Sequence, residues 1–548
     1  MCKKVHHPSH THGVSDAASR RAFLASLVSA FAFLPLAYGQ EKTPVGMAEQ
    51  FRQMSEDYEK EGLAAPFRGI TTNSEVLPGL FQISPSGVST EPVRNAAERF
   101  IASLNNVQLA KTMFPADDVQ WRKWMNQHFY VRQGISMQEM TPAQRDLAFG
   151  LMRTSLSTRG FELTRNVMRL NETLAELAED PIFLGEWLYY ITILGRPSAT
   201  EPWGWQFSGH HAIINFFVLG DQVVMTPLFL GSEPVRATSG KYKGIAVLQQ
   251  EQQDGLGTVR TLTAAQQQKA ILNFSKTGNN NLTEAFKDNV ILDYAGIQTK
   301  DLETPARKQL RDLVQLYVSN MDDGHARVKM SEVEKHIENT WFAWVGGTQD
   351  DSVFYYRIQS PVILIEFDHQ RPANLVKFAK DRDVPTQQHI HCVVRTPNGN
   401  DYGKDLLRQH YLTHPHQSQS LANPGNAPPN ARQVGSGMSA LRPATDWSAN
   451  GKLDSYVIVA PFGRTPRSTL YSMVYTSCPG SNRRSWLTNR CASRRSRIAV
   501  YCRLPGGWNI LAARRTNATR AAGWKISRAR RLRTATNGSP PPQPTTTR

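Results

Sequence analysis

The sequence predicts an α+β protein: an N-terminal helical region, a mainly antiparallel sheet with inserted helices, and an unstructured C-terminal tail. Three observations predict it. Helix-type periodicity and helix start signals cluster from residue 90 to about 177, strand-type apolar runs gather after residue 187, and hydrophobic periodicity fades after His416. Helical and strand runs that are segregated along the chain argue for α+β rather than for a doubly wound sheet.

The chain opens with Ser19-Arg-Arg-Ala-Phe-Leu-Ala25, an apolar run over 26–36 and the small-residue exit Ala37-Tyr38-Gly39. This is a twin-arginine export pattern, read as a cleaved signal over residues 1–39. The apolar run is shorter than the ~20 residues that a spanning helix needs, so no stable membrane span is expected once the signal is removed. The twin-arginine machinery is the expected export partner, and the periplasm or the extracellular space the expected destination. Residues 40–89 are mixed and polar, with turn signals at Pro66, Pro78-Gly79 and Pro85-Ser-Gly87, and are read as irregular.

A single α+β domain is expected over 90–416. Thr90-Glu-Pro92 and Thr141-Pro142 each open a helix, a capping residue being followed by proline in the first turn. Ala97, Phe100, Ile101 and Leu104 recur at helical spacing, as do Val167, Leu170, Leu174 and Leu177. Strands are expected over 188–194, 205–219 and 222–230, the last two joined by a Gly220-Asp221 hairpin turn. Residues 262–336 read as helix. Strands follow over 340–345, 353–359, 362–367 and 389–395, and 402–411 closes the domain as a helix.

Beyond it, 417–548 carries 19 Arg, 2 Lys, 2 Asp and no Glu, with scattered Trp and Cys and a Pro-Pro-Pro-Gln-Pro-Thr-Thr-Thr-Arg end. Two readings compete: a basic tail for polyanions, or translation out of frame or past a stop, since arginine has GC-rich codons and lysine has none. The abrupt onset favours the second, and no packed domain is expected there. The charge follows the same partition. The chain's +17 divides into +3 for residues 1–39, +19 for 417–548 and −5 for 40–416, which removes the electrostatic case for nucleic-acid binding by the core. Of five cysteines only Cys392 lies in the body, so its stability must come from a core and not from a disulfide framework.

Three stretches carry chemistry. In His389-Ile-His391, residues two apart on a strand share one face, so both imidazoles can converge on one ion while Cys392 points away. The carboxylate that follows such a pair in cupins is replaced here by Val393, Val394 and Arg395. In Ile365-Glu-Phe-Asp-His369, Glu366 begins inside an apolar strand, where a carboxylate is costly unless paired or metal-bound, whereas Asp368 reads as a cap of the strand end. In Trp203-Gly-Trp-Gln-Phe-Ser-Gly-His-His211, Trp203, Trp205, Phe207 and His211 fall on one face of an extended strand and His210 on the other. Ser208 lacks a nucleophile elbow. The bland alternatives are hydrogen-bonded core histidines and a Glu366–Arg395 ion pair.

The same segments, with Arg395-Thr-Pro-Asn-Gly-Asn-Asp-Tyr-Gly-Lys-Asp-Leu-Leu-Arg-Gln-His-Tyr411, resemble the family catalogued as domain of unknown function 3500. The resemblance spans roughly 90–416; members are often exported bacterial proteins. It implies the domain and its limits and carries no catalytic assignment.

From the residues themselves, the first expectation is an exported metal-dependent enzyme of hydrolase type. One divalent ion (Zn, Fe or Mn) would be held by His211, Glu366, His389 and His391 or three of them, with an open position for water. Arg395 would bind an anionic small-molecule substrate or orient Glu366, with His210 or His410 as the spare acid/base. The runner-up is a non-catalytic binding protein whose aromatic wall of Trp203, Trp205 and Phe207 stacks on a ligand. Metal-free acid/base catalysis by Glu366 and His391 lies between them.

Overall fold

The computed structural model describes residues 44–414 and, beyond them, the backbone of five strands between 471 and 527. The export signal and the onset of the tail lie outside the described residues. No described helix is long and apolar enough to cross a membrane.

Eight antiparallel strands form the centre of a 13-stranded sheet. In chain order they are β1 (Tyr189–Leu194), β2 (Trp203–Gly209), β3 (Ala212–Leu219), β4 (Leu228–Ser232), β5 (Trp341–Gly346), β6 (Phe354–Gln359), β7 (Leu364–His369) and β8 (Ile390–Arg395). Across the sheet they run β1-β2-β3-β4-β8-β7-β6-β5, so the late strand β8 is inserted beside the early strand β4. Short strands extend the edges; two of them, Met113–Phe114 and Ile271–Asn273, pair in parallel.

Nearly every residue of β2, β3, β4, β7 and β8 is buried. A sheet covered on both faces has this property, and its strands read as continuous apolar runs. One face packs on helices. Trp205, Phe207, Leu230, Phe367 and Val394 share a core with α1 (Glu91–Ala102), α2 (Pro142–Ser155), α3 (Thr158–Ala178), α4 (Gln249–Arg260) and α5 (Thr304–Val318), through residues such as Phe100, Met152, Met168, Val259 and Leu313. The other face carries Ile213, Phe229 and Val393 and packs on loops and α6 (Lys404–Thr413), through Trp121, Trp124, Tyr402 and Leu406.

Both proline-marked starts open helices, but of the two expected capping residues only Thr141 caps with its side chain. Thr141 caps α2 in a reciprocal capping box with Gln144. Thr90 precedes α1, with proline in its first turn, and its hydroxyl donates to the Gly220 carbonyl at 2.6 Å.

Four segments differ from expectation, one being the strand expected over 222–230, which is broken at 225–227 into Gln222–Val224 and Leu228–Ser232. The stretch read as irregular opens with a helix, Pro44–Gly62, where Arg52 pairs with Glu49 and Glu56 three and four residues away. The strand expected over 205–219 is two strands, since β2 and β3 meet in a tight turn at His210-His211, with Gly209 opposite Ala212. Within the helix expected over 262–336, residues 274–296 form no helix. Gly278-Asn-Asn-Asn281 is turn-forming chemistry, and the backbone N–H groups of Asn280 and Asn281 both bond to the Asp368 carboxylate of the sheet. In the tail, the five described strands pair antiparallel with their chain neighbours. Their side chains and the residues between them lie outside the description.

Candidate metal centre

Sheet register brings the histidines together. Gly231 on β4 lies opposite His391 on β8, and its N–H donates at 2.8 Å to the carbonyl of His211, which ends the β2–β3 turn. His211 and His391 therefore flank β4 from its two neighbouring strands, their backbones roughly 10 Å apart across the sheet. Their rings lean over Gly231 and meet. A Cβ at that position would stand 3.1 Å from Cδ2 of both rings and 2.7 Å from the Ile390 carbonyl oxygen, so glycine is what lets them converge. His211 itself adopts a left-handed backbone, with φ of 62°; that conformation turns its ring toward β8 and not along the β2 face.

The three Nε2 atoms form a small triangle: 3.2 Å for His211–His391, 3.3 Å for His211–His389 and 3.0 Å for His389–His391. Three nitrogens bound at ~2.1 Å to one ion stand ~3.0 Å apart in octahedral and ~3.4 Å apart in tetrahedral geometry, so the observed triangle spans the range that a single metal requires. Among the described residues these three form the one group of potential metal ligands.

The outer ring nitrogens of His389 and His391 both face oxygen acceptors. His389 Nδ1 lies 2.6 Å from the Arg371 carbonyl oxygen, which can only accept, so that nitrogen carries the proton and Nε2 presents a lone pair. His391 Nδ1 lies 2.7 Å from Glu284 Oε1, which also accepts from Asn281 Nδ2 at 2.7 Å. This is the carboxylate–histidine arrangement that orients metal ligands. Burial pushes the Glu284 carboxyl up to about 7. Burial, reinforced by the neighbouring imidazoles, holds His211 and His391 well below the usual range, in the neutral form that metals bind. Lone pairs aimed at each other across 3 Å repel unless a cation lies between them.

The remaining site residues are placed elsewhere. Glu366 lies on β7, opposite Val393 of β8 and on the far side of β8 from β4. Its carboxylate accepts from Leu282 N–H and Thr283 N–H at 2.9 Å, from the Thr283 hydroxyl and from Tyr355 OH at 2.7 Å. It anchors the 274–296 segment and is not among the clustered ligands. Arg395 does not reach Glu366: it bonds Asp401 at 2.8 Å, Asp288 at 2.7 Å and the Thr283 carbonyl at 3.0 Å, and Arg122 shares Asp288. Every guanidinium nitrogen of Arg395 is engaged in this buried network, so it offers no free fork to an anion. Asp368, read as a strand cap, is fully buried and pairs with Lys276 at 2.6 Å.

His210 stacks on His211 at 3.9 Å, with its Nδ1 2.8 Å from the Asn171 side-chain oxygen. His410 is on α6, 3.4 Å from Glu201. Trp203, Trp205 and Phe207 face the helices, where Trp205 stacks on Phe216 and Phe207 on Tyr189. They are fully buried core residues. Sequence reasoning missed Glu284 and Gly231. Glu284 lay in a segment read as helix, and the Gly278-Asn-Asn-Asn281 run was the signal that could have corrected it. Gly231 gives no local signal, because its role exists only across strands.

No curated protein and no solved structure matches the chain. The family model described as Protein of unknown function (DUF3500) matches residues 86–404. That interval holds every strand and loop that builds the histidine cluster, and it covers more than half of the chain. The chain belongs to this family.

Proposed function

We propose that the chain binds one divalent transition-metal ion through Nε2 of His211, His389 and His391, and uses it as a metal-dependent enzyme of hydrolase type. The convergence of the three Nε2 atoms within 3.0–3.3 Å carries the reading. An all-imidazole set suits zinc or iron better than manganese, which favours carboxylate and carbonyl oxygen. Three protein ligands leave a coordination position open, as in catalytic rather than structural zinc sites. An ion held by these three histidines would supply Lewis-acid chemistry, lowering the pKa of a water in the open position into the neutral range.

Elemental analysis of the purified chain tests the metal: about one ion per chain is expected, and none in His211→Ala or His391→Ala. A wild-type chain that neither contains a transition metal nor takes one up on dialysis sinks the reading. X-ray absorption tests the open position. Three nitrogens and one exchangeable oxygen are expected; four fixed protein ligands would make the centre structural and remove the hydrolytic part. Export by the twin-arginine route stays part of the proposal, tested by whether Arg20→Lys/Arg21→Lys leaves the protein in the cytoplasm.

A further inference from the structure

Among the described residues, Lys276 and Asp368 are the one lysine–carboxylate pair whose side chains are both 0% exposed, with Nζ 2.6 Å from Oδ1. Nζ also donates to the Gly278 carbonyl at 2.6 Å and to Asn280 Oδ1 at 2.8 Å. The two carboxylate oxygens have different surroundings. Oδ1 meets Nζ, whereas Oδ2 accepts from the backbone N–H groups of Asn280 at 2.6 Å and Asn281 at 3.2 Å and from Gln370 Nε2 at 2.5 Å. Holding two charges out of water is costly, and passing one proton from Nζ to Oδ1 removes both. The amine that results keeps two hydrogens, one for the Gly278 oxygen and one for the Asn280 oxygen. Its lone pair then faces the Asp368 carboxyl group.

We propose that Lys276 and Asp368 condense into an intramolecular amide that cross-links the domain. The Nζ lone pair attacks Cγ, and the negative charge that develops on Oδ2 is met by its three N–H donors, as in an oxyanion hole. The Cγ–Oδ1 bond then breaks. Oδ1 leaves as water with the proton it already carries and one more from Nζ, so the chain loses one water and no oxidant or cofactor takes part. The new bond joins residues 92 apart and ties the 274–296 segment, which carries Glu284, to β7 beside His391. Such a link restrains the unfolded chain as a disulfide does, in a body whose only cysteine, Cys392, is free. The step does not depend on a metal in the histidine cluster.

Peptide mapping of the full chain by mass spectrometry tests the cross-link. The folded protein is purified and then unfolded in guanidinium before digestion, so that an ion pair alone cannot shield Lys276. Trypsin does not cut after an amidated lysine. The wild-type digest should therefore contain a branched peptide carrying both Lys276 and Asp368, lighter by one water than the two linear peptides it joins. Lys276→Met should abolish the branch and release the Asp368 peptide in linear form. A wild-type digest that yields only a peptide ending at Lys276 and a linear Asp368 peptide overturns the proposal, whether or not the variant folds. A branch on Asp368 that persists in Lys276→Met overturns the assignment to this lysine.

Discussion

Gly231→Ala separates the geometry of the metal centre from the stability of the fold. The added Cβ would meet the Ile390 carbonyl oxygen at 2.7 Å and Cδ2 of His211 and His391 at 3.1 Å each. Relief to an ordinary contact of about 3.5 Å moves each ring by about 0.4 Å, twice the ~0.2 Å tolerance of a metal–ligand distance. The two rings lie on opposite sides of Gly231, so the movements add in the His211–His391 separation, now 3.2 Å between Nε2 atoms. One ligand is then strained or lost. Displacements of this kind cost roughly 10–100-fold in affinity, about 1.4–2.8 kcal/mol. Backbone crowding adds about 1–3 kcal/mol of instability whether or not metal is present. A chelator competition gives the affinity, and thermal melts of the metal-free chain give the fold term. The expected result is weaker metal binding in a chain that still folds. An alanine variant that melts lower yet keeps wild-type affinity would refute the reasoning, because the crowding would then have been absorbed without moving the rings.

Glu366→Gln should leave metal content unchanged and destabilise the chain by about 1–3 kcal/mol, because an amide NH2 must then face the donors of the 282–283 segment; loss of the metal in this variant would return Glu366 to the ligand set. Arg395→Met should cost about 3–5 kcal/mol in a denaturant titration, since Asp288 and Asp401 would lose a buried partner; a loss under 1 kcal/mol would show that the network is not structural. His369 is held down at about 3 by burial, and its Nδ1 accepts the Phe354 N–H at 2.9 Å. Its folded pKa lies below the unfolded value, so the unfolded state binds the extra proton first. Its stability contribution is therefore fully present above pH ~6.5 and is lost as pH falls toward 3, up to about 4–5 kcal/mol. Urea titrations across that window should show a shallower slope for His369→Gln, and equal slopes would contradict the buried neutral ring.

Local chemistry made much of this protein legible. Thr141-Pro142 started a helix because the side chain at 141 and the ring at 142 act within one turn. His389 and His391 were placed on one face by the two-residue period of a strand, and the structure puts their Nε2 atoms 3.0 Å apart. His211 was chosen for the wrong geometric reason: as the end of a long strand beside aromatics it would have faced the helices, whereas the turn at 210–211 carries it to the other side. Glu366 was ranked high because a carboxylate in an apolar strand needs partners. It has them, in the backbone and the Thr283 hydroxyl of a loop 83–84 residues earlier in the chain and in Tyr355 OH.

By itself the sequence determined the α+β class, most of the central strands and the helix starts at Thr90 and Thr141, the family domain, and that two histidines share a face, since these follow from contacts within a few residues. The tertiary structure alone decided that β8 lies beside β4, that Gly231 separates His211 from His391, and that the 274–296 segment supplies Glu284. Those facts depend on strand register and loop closure across 100 to 180 residues of chain. No periodicity in the sequence encodes such distances; packing of the sheet against both of its covering layers selects them.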